Sequence, residues 1–263
     1  MKRRSLIARF VVVTTAGSLT SLTVSLNGVI AAGAEVKVLT SVALRSALSE
    51  LAPQFERATA DKLVIGYSLI ADIRKRVLAG ETADVIILSR PVMDELEQQH
   101  RIVPSSIVDV AGTAVAVAVR AGTTKPDIST VAAFKRTLLA ARSVVYADPA
   151  KGGASGVYFA HVLQRLGISE QMKPKTILVP GAQAAEVVAK GEAALGVGQT
   201  SEIIPVAGAQ LVGPFPGALA NTTVFAAGIG IGAKVPNSAR ALIRFLTDPV
   251  AASVLRAKGF APG

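Results

Sequence analysis

Apolar residues in the first part of this chain follow two periodicities, one typical of buried strands and one typical of amphipathic helices. Val36–Leu39 is typical of a short buried strand, and the segment after it places Leu44, Leu48 and Leu51 on one helical face. The same order then repeats, with strands predicted at 36–39, 63–67 and 84–88 and helices at 42–57, 70–79 and 91–100. Strands that alternate with helices predict a parallel sheet with right-handed crossovers.

The rest of the chain repeats this alternation between two longer alternating runs, 113–120 and 222–231. Strands are predicted at 143–146, 176–178 and 194–197, and helices at 131–141, 157–166, 184–190, 238–247 and 249–258. We predict a two-lobed α/β fold in which each lobe is a mostly parallel sheet flanked by helices. The two long runs are the predicted crossing strands. Lobe I is then discontinuous, comprising 35–115 and 227–263, and lobe II comprises 116–226.

Residues 1–34 have the pattern of an export signal. Basic residues come first, a stretch of apolar and small residues runs to Ile30, and Ala32-Gly33-Ala34 matches a small-x-small cleavage site. Several Ser and Thr residues dilute the stretch too much for a stable membrane span. We predict cleavage after Ala34 and a periplasmic, monomeric mature protein without a membrane span. Arg3-Arg4 leaves twin-arginine export open beside the general route.

Composition narrows the chemistry that the mature chain can perform. Cysteine is absent, which excludes disulfides and thiolate metal sites. His100 and His161 lack further ligands at metal-binding spacing, so no metal and no cofactor are predicted. The net charge is +10 for the whole chain and +6 without residues 1–34, and the basic residues of the mature chain are scattered without interleaved aromatic side chains. This pattern argues against nucleic acid as a partner and favours a small anion.

The glycine-rich segments do not match known catalytic loops. Gly152–Gly156 has no Walker lysine and does not form G-x-S-x-G, and the alternating glycines at 228–232 fail the dinucleotide fingerprint. No nucleophile triad can be assembled from the sequence.

Small polar residues follow several predicted strands, at the points where a helix is about to begin. In open α/β sheets, ligands bind beyond the carboxyl ends of the strands, and helix N-termini there attract anions. Each Ser or Thr alone could simply cap its helix. Their recurrence predicts one shared anion site, for which the candidate ligand-binding residues are Thr40, Ser41, Tyr67, Ser68, Ser155, Gly156, Gln199 and Thr200.

Five segments of the chain resemble the periplasmic molybdate-binding proteins, a branch of the type 2 solute-binding fold. They are V-L-T-S-x-A-L-x-x-A-L at 38–48, A-G-E-T-A-D-V-I-I-L-S at 79–89, D-P-x-x-x-x-A-S-G-V-Y at 148–158, G-E-A-A-L-G-V at 191–197 and L-x-x-K-G-F at 255–260. The resemblance runs from about Val36 to Phe260. It implies two lobes that close over an oxyanion and an ABC permease as the partner that receives it.

The sequence departs from this family at the residues that would contact the oxyanion. Ala43 stands where the family has a serine, and the loop after the second strand, 67–72, keeps only Ser68. The contact near the second-lobe glycines falls at Ser155, and a family tyrosine falls at Gln199. We therefore expect molybdate and tungstate to bind poorly, and a small carboxylate or another oxyanion to bind better.

Two functions remain open. We favour an exported binding protein that captures a small anion for an ABC importer. The alternative is an enzyme, because exported isomerases of unsaturated tricarboxylates such as aconitate are similar to this branch. Such an isomerase needs a base within reach of a substrate carbon; the candidates are Glu202, Lys151, Asp72 and His161.

Overall fold

The computed structural model describes residues 33–262, so that most of the predicted export signal lies outside the described residues. The strands in this range are β1 (Glu35–Ser41), β2 (Lys62–Ser68), β3 (Val85–Ser89), β4 (Val108–Arg120), β5 (Val144–Ala147), β6 (Thr176–Val179), β7 (Leu195–Gln199), β8 (Ala209–Pro214), β9 (Thr222–Ile229) and β10 (Ala261–Pro262). The helices are α1 (Arg45–Thr59), α2 (Ile70–Leu78), α3 (Arg90–Gln98), α4 (Val131–Ala140), α5 (Ala154–Arg165), α6 (Ser169–Met172), α7 (Ala184–Lys190), α8 (Thr200–Ile203), α9 (Pro236–Leu246) and α10 (Pro249–Ala257). No helix among these residues is both long enough and apolar enough to cross a membrane.

The main strands follow the order β2-β1-β3-β9-β4-β7-β5-β6. In the first half-sheet, β1 pairs in parallel with β2 and β3, and β9 pairs antiparallel with β3 and with 108–114 of β4. In the second half-sheet, β5 pairs in parallel with β6 and β7. The later part of β4 pairs antiparallel with β7 and β8, so β4 belongs to both half-sheets. This arrangement confirms the predicted α/β fold, whereas the residue boundaries of the lobes stay a prediction.

Helices pack on both faces of the first half-sheet because its central strands are apolar on both sides. Val85 and Ile87 of β3 pack against α1, α9 and α10, whereas Ile86 and Leu88 pack against α2 and α3. A strand covered on both faces reads as a continuous apolar run, as the sequence of β3 does. The second half-sheet has separate cores, one of which is centred on Phe134, Phe159 and Phe215.

Strand register places the ends of neighbouring strands side by side. Ser41 at the end of β1 aligns with Ser68 at the end of β2, and Thr40 aligns with Tyr67. Because parallel strands point their carboxyl ends to the same edge, the loops that follow them gather at that edge. The parallel strands of the second half-sheet bring their own loops together in the same way.

The side chain of Asp84 links separate segments of the first half-sheet. Its buried carboxylate accepts hydrogen bonds from the backbone N–H groups of Lys37, at 2.8 Å, and of Val235, at 3.0 Å. The N–H of Lys234 is a third donor, at 2.6 Å. One side chain therefore ties β1, β3 and the turn before α9 together.

We expect Asp84→Ala to lower the free energy of unfolding by about 3 kcal/mol, because three backbone N–H groups lose a charged acceptor. Urea unfolding of the variant and the parent protein measures the difference. The matched control is Glu192→Ala, at an exposed acid of the second half-sheet. Equal stability of the two variants would contradict the role given to Asp84.

Candidate functional site

A cleft lies at the carboxyl ends of the strands and is lined from both half-sheets. Its empty volume is about 330 Å³, part of it open to solvent. Most of the lining residues lie where a strand ends and a helix begins, so backbone groups form much of the lining. The lining residues are Ser41, Val42, Ala43, Leu69, Ile70, Ala147, Gly153, Ala154, Ser155, Gly181, Ala182, Gln199 and Glu202.

Two helices begin at the cleft without a side-chain cap. These are α2, preceded by Leu69, and α5, preceded by Gly153; neither preceding residue forms a capping hydrogen bond. The first N–H groups of a helix have no acceptor within the helix, and the helix dipole makes that end partly positive. Both helix starts can therefore donate hydrogen bonds to an anion in the cleft.

Ser41 and Ser155 place hydroxyl groups in the same cleft. Ser41 is buried and accepts a hydrogen bond from the N–H of Ala43 at 3.3 Å, which leaves its own hydroxyl proton available. Ser155 is buried in the first turn of α5. Its position depends on Gly156, because a Cβ there would lie 2.0 Å from the carbonyl oxygen of Ala147. Glycine thus lets α5 start directly against the end of β5.

Gln199 closes the inner end of the cleft. The side chain is buried, and its amide nitrogen donates a hydrogen bond to the hydroxyl of Thr223 at 3.2 Å. Its amide oxygen has no hydrogen-bond partner among residues 33–262. A buried amide oxygen without a partner costs free energy, so it favours a ligand or water that donates a hydrogen bond.

Glu202 is the ionisable residue of the cleft lining. One carboxylate oxygen accepts the N–H of Gln199 at 3.0 Å, and Gly198 leaves room for this close approach. The side chain keeps partial access to the cleft, yet it lies deep among protein atoms. Burial raises the pKa of Glu202 to about 7, although the hydrogen bond from Gln199 acts to lower that pKa. Near neutral pH this carboxyl group can therefore either accept or donate a proton.

A wider space forms the mouth of the cleft, with an empty volume of about 920 Å³. Cleft and mouth share the lining residues Val42, Leu69, Gly181 and Ala182, so they lie next to each other. The other residues of the mouth are Arg45, Tyr67, Ser68, Asp72, Pro180, Gln183 and Glu186.

Two contacts order the side chains of the mouth on the side of the first half-sheet. The Ser68 hydroxyl donates to the Asp72 carboxylate at 3.0 Å, and the Arg45 guanidinium carbon lies 4.2 Å from the centre of the Tyr67 ring. Burial raises the pKa of Tyr67, and the charge of Arg45 opposes that shift.

Three of the predicted ligand-binding residues lie outside the lining of cleft and mouth. Thr40 is fully buried, and its hydroxyl has no hydrogen-bond partner among residues 33–262. The Thr200 hydroxyl donates to the carbonyl oxygen of Gly259 at 2.6 Å. Gly156 serves the packing of α5 on β5. The structure brings the other five together, namely Ser41, Ser155 and Gln199 in the cleft and Tyr67 and Ser68 at its mouth.

The four candidate bases are widely distributed. Glu202 lines the cleft, and Asp72 lies at its mouth. Lys151 is exposed on a short 3-10 helix before α5, and His161 is exposed on α5 itself; neither lines the cleft. Of the four, Glu202 is therefore best placed to act on a bound ligand.

Several residues of the cleft and its mouth are not among the predicted ligand-binding residues. Leu69 and Ile70 lie in the loop that keeps only one serine, yet they contribute the uncapped start of α2. Gly181 and Ala182, between β6 and α7, were not singled out. The signal that could have found them is the same strand-to-helix junction that identified the other loops.

Comparison with known proteins identifies the family. The sequence profile of the bacterial extracellular solute-binding proteins matches residues 36–261. The chain belongs to this family. It is 35% identical over 231 residues to the aconitate isomerase of Pseudomonas sp, a match that covers 86% of this chain and 87% of the relative.

Molybdate-binding proteins also match this solute-binding protein. The chain is 23% identical over 248 residues to molybdate-binding protein ModA of Escherichia coli K12, covering 93% of this chain and 95% of that protein. The solved periplasmic molybdate-binding protein of Azotobacter vinelandii matches with a TM-score of 0.72 and 22% identity, covering 87% of this chain and 99% of that one. These matches confirm the predicted resemblance to the molybdate-binding proteins and the type 2 fold.

We expect the stability effect of Glu202→Gln to depend on pH. The folded protein holds the proton of Glu202 up to a pKa of about 7, whereas the ordinary value is 4.5. The unfolded chain therefore releases this proton first as the pH rises, and the free energy of unfolding of the parent protein falls between these two values. The neutral variant avoids this loss, which approaches about 3 kcal/mol above pH 7.

Urea unfolding of both proteins from pH 4 to pH 8.5 tests this expectation. The stability of Glu202→Gln relative to the parent should rise through this window and level off above it. Glu192→Gln, at the exposed acid, should show no such trend. A stability difference that is the same at every pH would contradict the raised pKa of Glu202.

Proposed function

We propose that this protein is an exported isomerase of a small unsaturated tricarboxylate, of the aconitate class, built on a solute-binding scaffold. The observation that carries the proposal is the Glu202 carboxyl group in the cleft, with its pKa raised to about 7. A proton-transfer catalyst works best when its pKa lies near the working pH. An oxyanion receptor could use this group only in its protonated form, because an ionised carboxylate repels a bound anion.

The lining of the cleft suits a ligand that carries carbon as well as charge. The uncapped starts of α2 and α5, together with the hydroxyls of Ser41 and Ser155, offer hydrogen-bond donors for carboxylates. Ala43, Leu69 and Ile70 add apolar surface on one side. A tetrahedral oxyanion needs donors around all of its oxygens, whereas a tricarboxylate also presents a carbon skeleton to apolar side chains.

The proposed reaction is a proton shift along three carbons. Glu202 in its ionised form takes a proton from the saturated carbon beside the double bond. The electron pair left behind spreads over the three carbons and into an adjacent carboxylate, whose charge the helix starts stabilise. Glu202 then returns the proton to the far carbon, and the double bond has moved. The step is balanced without an oxidant or a further reactant.

Similarity to a known isomerase supports the same substrate class. The Pseudomonas sp aconitate isomerase is 35% identical to this chain, against 23% for the Escherichia coli molybdate-binding protein. Most of each chain takes part in both matches. We therefore propose that molybdate binds poorly to this protein.

Capture of a small anion for an ABC importer is the second candidate. The family match and the cleft between two half-sheets favour it, because solute-binding proteins of this fold hold a ligand between their lobes. In this role an ABC permease is the partner, and Glu202 would bind the ligand in its neutral, protonated form.

Both candidates include export to the periplasm, which we propose from the predicted signal. Strand β1 begins at Glu35, directly after the predicted cleavage site. N-terminal sequencing of periplasmic protein tests this proposal, with Glu35 as the expected first residue.

Turnover and binding assays on the purified mature protein separate the two functions. Proton NMR follows the conversion of cis- to trans-aconitate against a protein-free control, and calorimetry measures the binding of aconitate and molybdate. Turnover supports the isomerase. Binding of an organic acid without turnover favours transport, and tight molybdate binding without binding of any organic acid would overturn the proposal.

A further inference from the structure

Arg45 is an unpaired cation at the mouth of the cleft. It is exposed and forms none of the salt bridges found among residues 33–262. Its guanidinium lies over the Tyr67 ring, with the guanidinium carbon 4.2 Å from the ring centre. Stacking of this kind holds the cation in place while its N–H groups remain free to donate.

Arg45 also lies close in the chain to Ser41, which lines the cleft. It begins α1 four residues after Ser41, which is about 6–8 Å of helical rise. Val42, between these two residues, lines both the cleft and its mouth, which allows one small ligand to span the two spaces. Such a ligand would extend from the cleft outwards to the guanidinium.

We infer that Arg45 is a specificity-determining residue that binds a terminal carboxylate of the substrate while the remainder of the substrate lies in the cleft beside Glu202. The inference rests on the proposed function and deepens it, because it explains how a tricarboxylate is preferred over shorter acids. A guanidinium matches a carboxylate with two parallel hydrogen bonds. Arg45 then recognises the terminal carboxylate at a distance from the carbons between which the proton moves.

Two acidic side chains at the mouth sharpen this recognition. Asp72, from the first half-sheet, and Glu186, from the second, both line it and are exposed. A carboxylate placed near either acid is repelled, whereas one placed at Arg45 is attracted. A binding site selects one arrangement of ligand charges when it attracts a carboxylate at one position and repels it at the positions around it.

Two saturated acids that cannot be isomerised test the inference. Tricarballylate carries three carboxylates, and methylsuccinate is the same carbon chain without one terminal carboxylate. Calorimetry measures the binding of both acids to the mature protein and to Arg45→Gln. Comparing the four affinities isolates the contribution of the terminal carboxylate that methylsuccinate lacks. Arg45→Gln should weaken tricarballylate binding about 10- to 100-fold and methylsuccinate binding less than about 3-fold, since a lost hydrogen bond to a charged group costs about this factor.

Two further variants control for indirect effects. Arg45→Lys keeps the charge but lacks the planar fork of the guanidinium. Its affinity for tricarballylate should lie between those of the parent and of Arg45→Gln. Arg57→Gln, at an exposed arginine in the last turn of α1 that lines neither the cleft nor its mouth, should retain the parent preference. Thermal unfolding of each variant checks that the fold is intact.

An equal loss for both acids, no loss for either, or no binding of tricarballylate by the parent protein would overturn the inference. Failure of the isomerase proposal is a different outcome. In that case the parent binds tricarballylate and depends on Arg45 but does not convert aconitate.

Discussion

Glu202→Gln should lower the rate of aconitate isomerisation by about 100- to 10,000-fold, the range that a positioned acid–base group contributes. Glutamine has nearly the same shape, and its oxygen can still accept the N–H of Gln199, which lies 3.0 Å from the native carboxylate. It can neither take nor return a proton at neutral pH. The loss should therefore appear in kcat, with tricarballylate binding retained.

The pH profile separates proton transfer from mere positioning. In the parent protein, the rate should rise with pH as Glu202 becomes ionised, with a midpoint near the raised pKa of about 7. Glu192→Gln, at an exposed acid of the same half-sheet, should keep both the rate and the profile of the parent. A Glu202→Gln variant that retains most of the parent rate would exclude Glu202 as the base and leave Asp72 as the remaining candidate near the cleft.

Much of the fold was predictable because each main element has a strong local pattern. The helix from 45 to 59 buries Ala47, Leu48, Leu51 and Phe55, which include residues of the predicted apolar face. The apolar strand β3 was predicted within one residue of its position. Strand β8 and the four-residue helix α8 were missed, because β8 is half-buried along its length and α8 is too short to show a period.

The cleft was predictable only in part, because much of it is backbone. Ser41, Ser155 and Gln199 are visible in the sequence as polar residues after strands. The free N–H groups at the start of α2 have no such signature, since Leu69 and Ile70 look like core residues. Glu202 could not be ranked above Lys151 or His161 from the sequence, because its burial results from packing that the sequence pattern does not encode.

Gly156 is the position where a single methyl group should do the most damage to both fold and site. A Cβ at this residue would lie 2.0 Å from the carbonyl oxygen of Ala147 and 3.1 Å from its Cβ. The first contact is with backbone, which cannot rotate away, so α5 would have to move off β5. Overpacking in a core ordinarily costs about 1–3 kcal/mol. For Gly156→Val we expect more than about 4 kcal/mol, because strand and helix must separate.

The same displacement should reach the ligand, because Ser155 and the start of α5 both line the cleft. We therefore expect Gly156→Ala, the milder change, to lose stability and to bind tricarballylate at least about 10-fold more weakly, as expected for a lost hydrogen bond to a charged group. Urea unfolding and calorimetry measure the two effects. Gly213→Ala in β8 is the matched control, since its Cβ would meet nothing closer than 3.7 Å. If Gly156→Ala and this control have the same free energy of unfolding and the same affinity for tricarballylate, the close packing of α5 on β5 does not position Ser155.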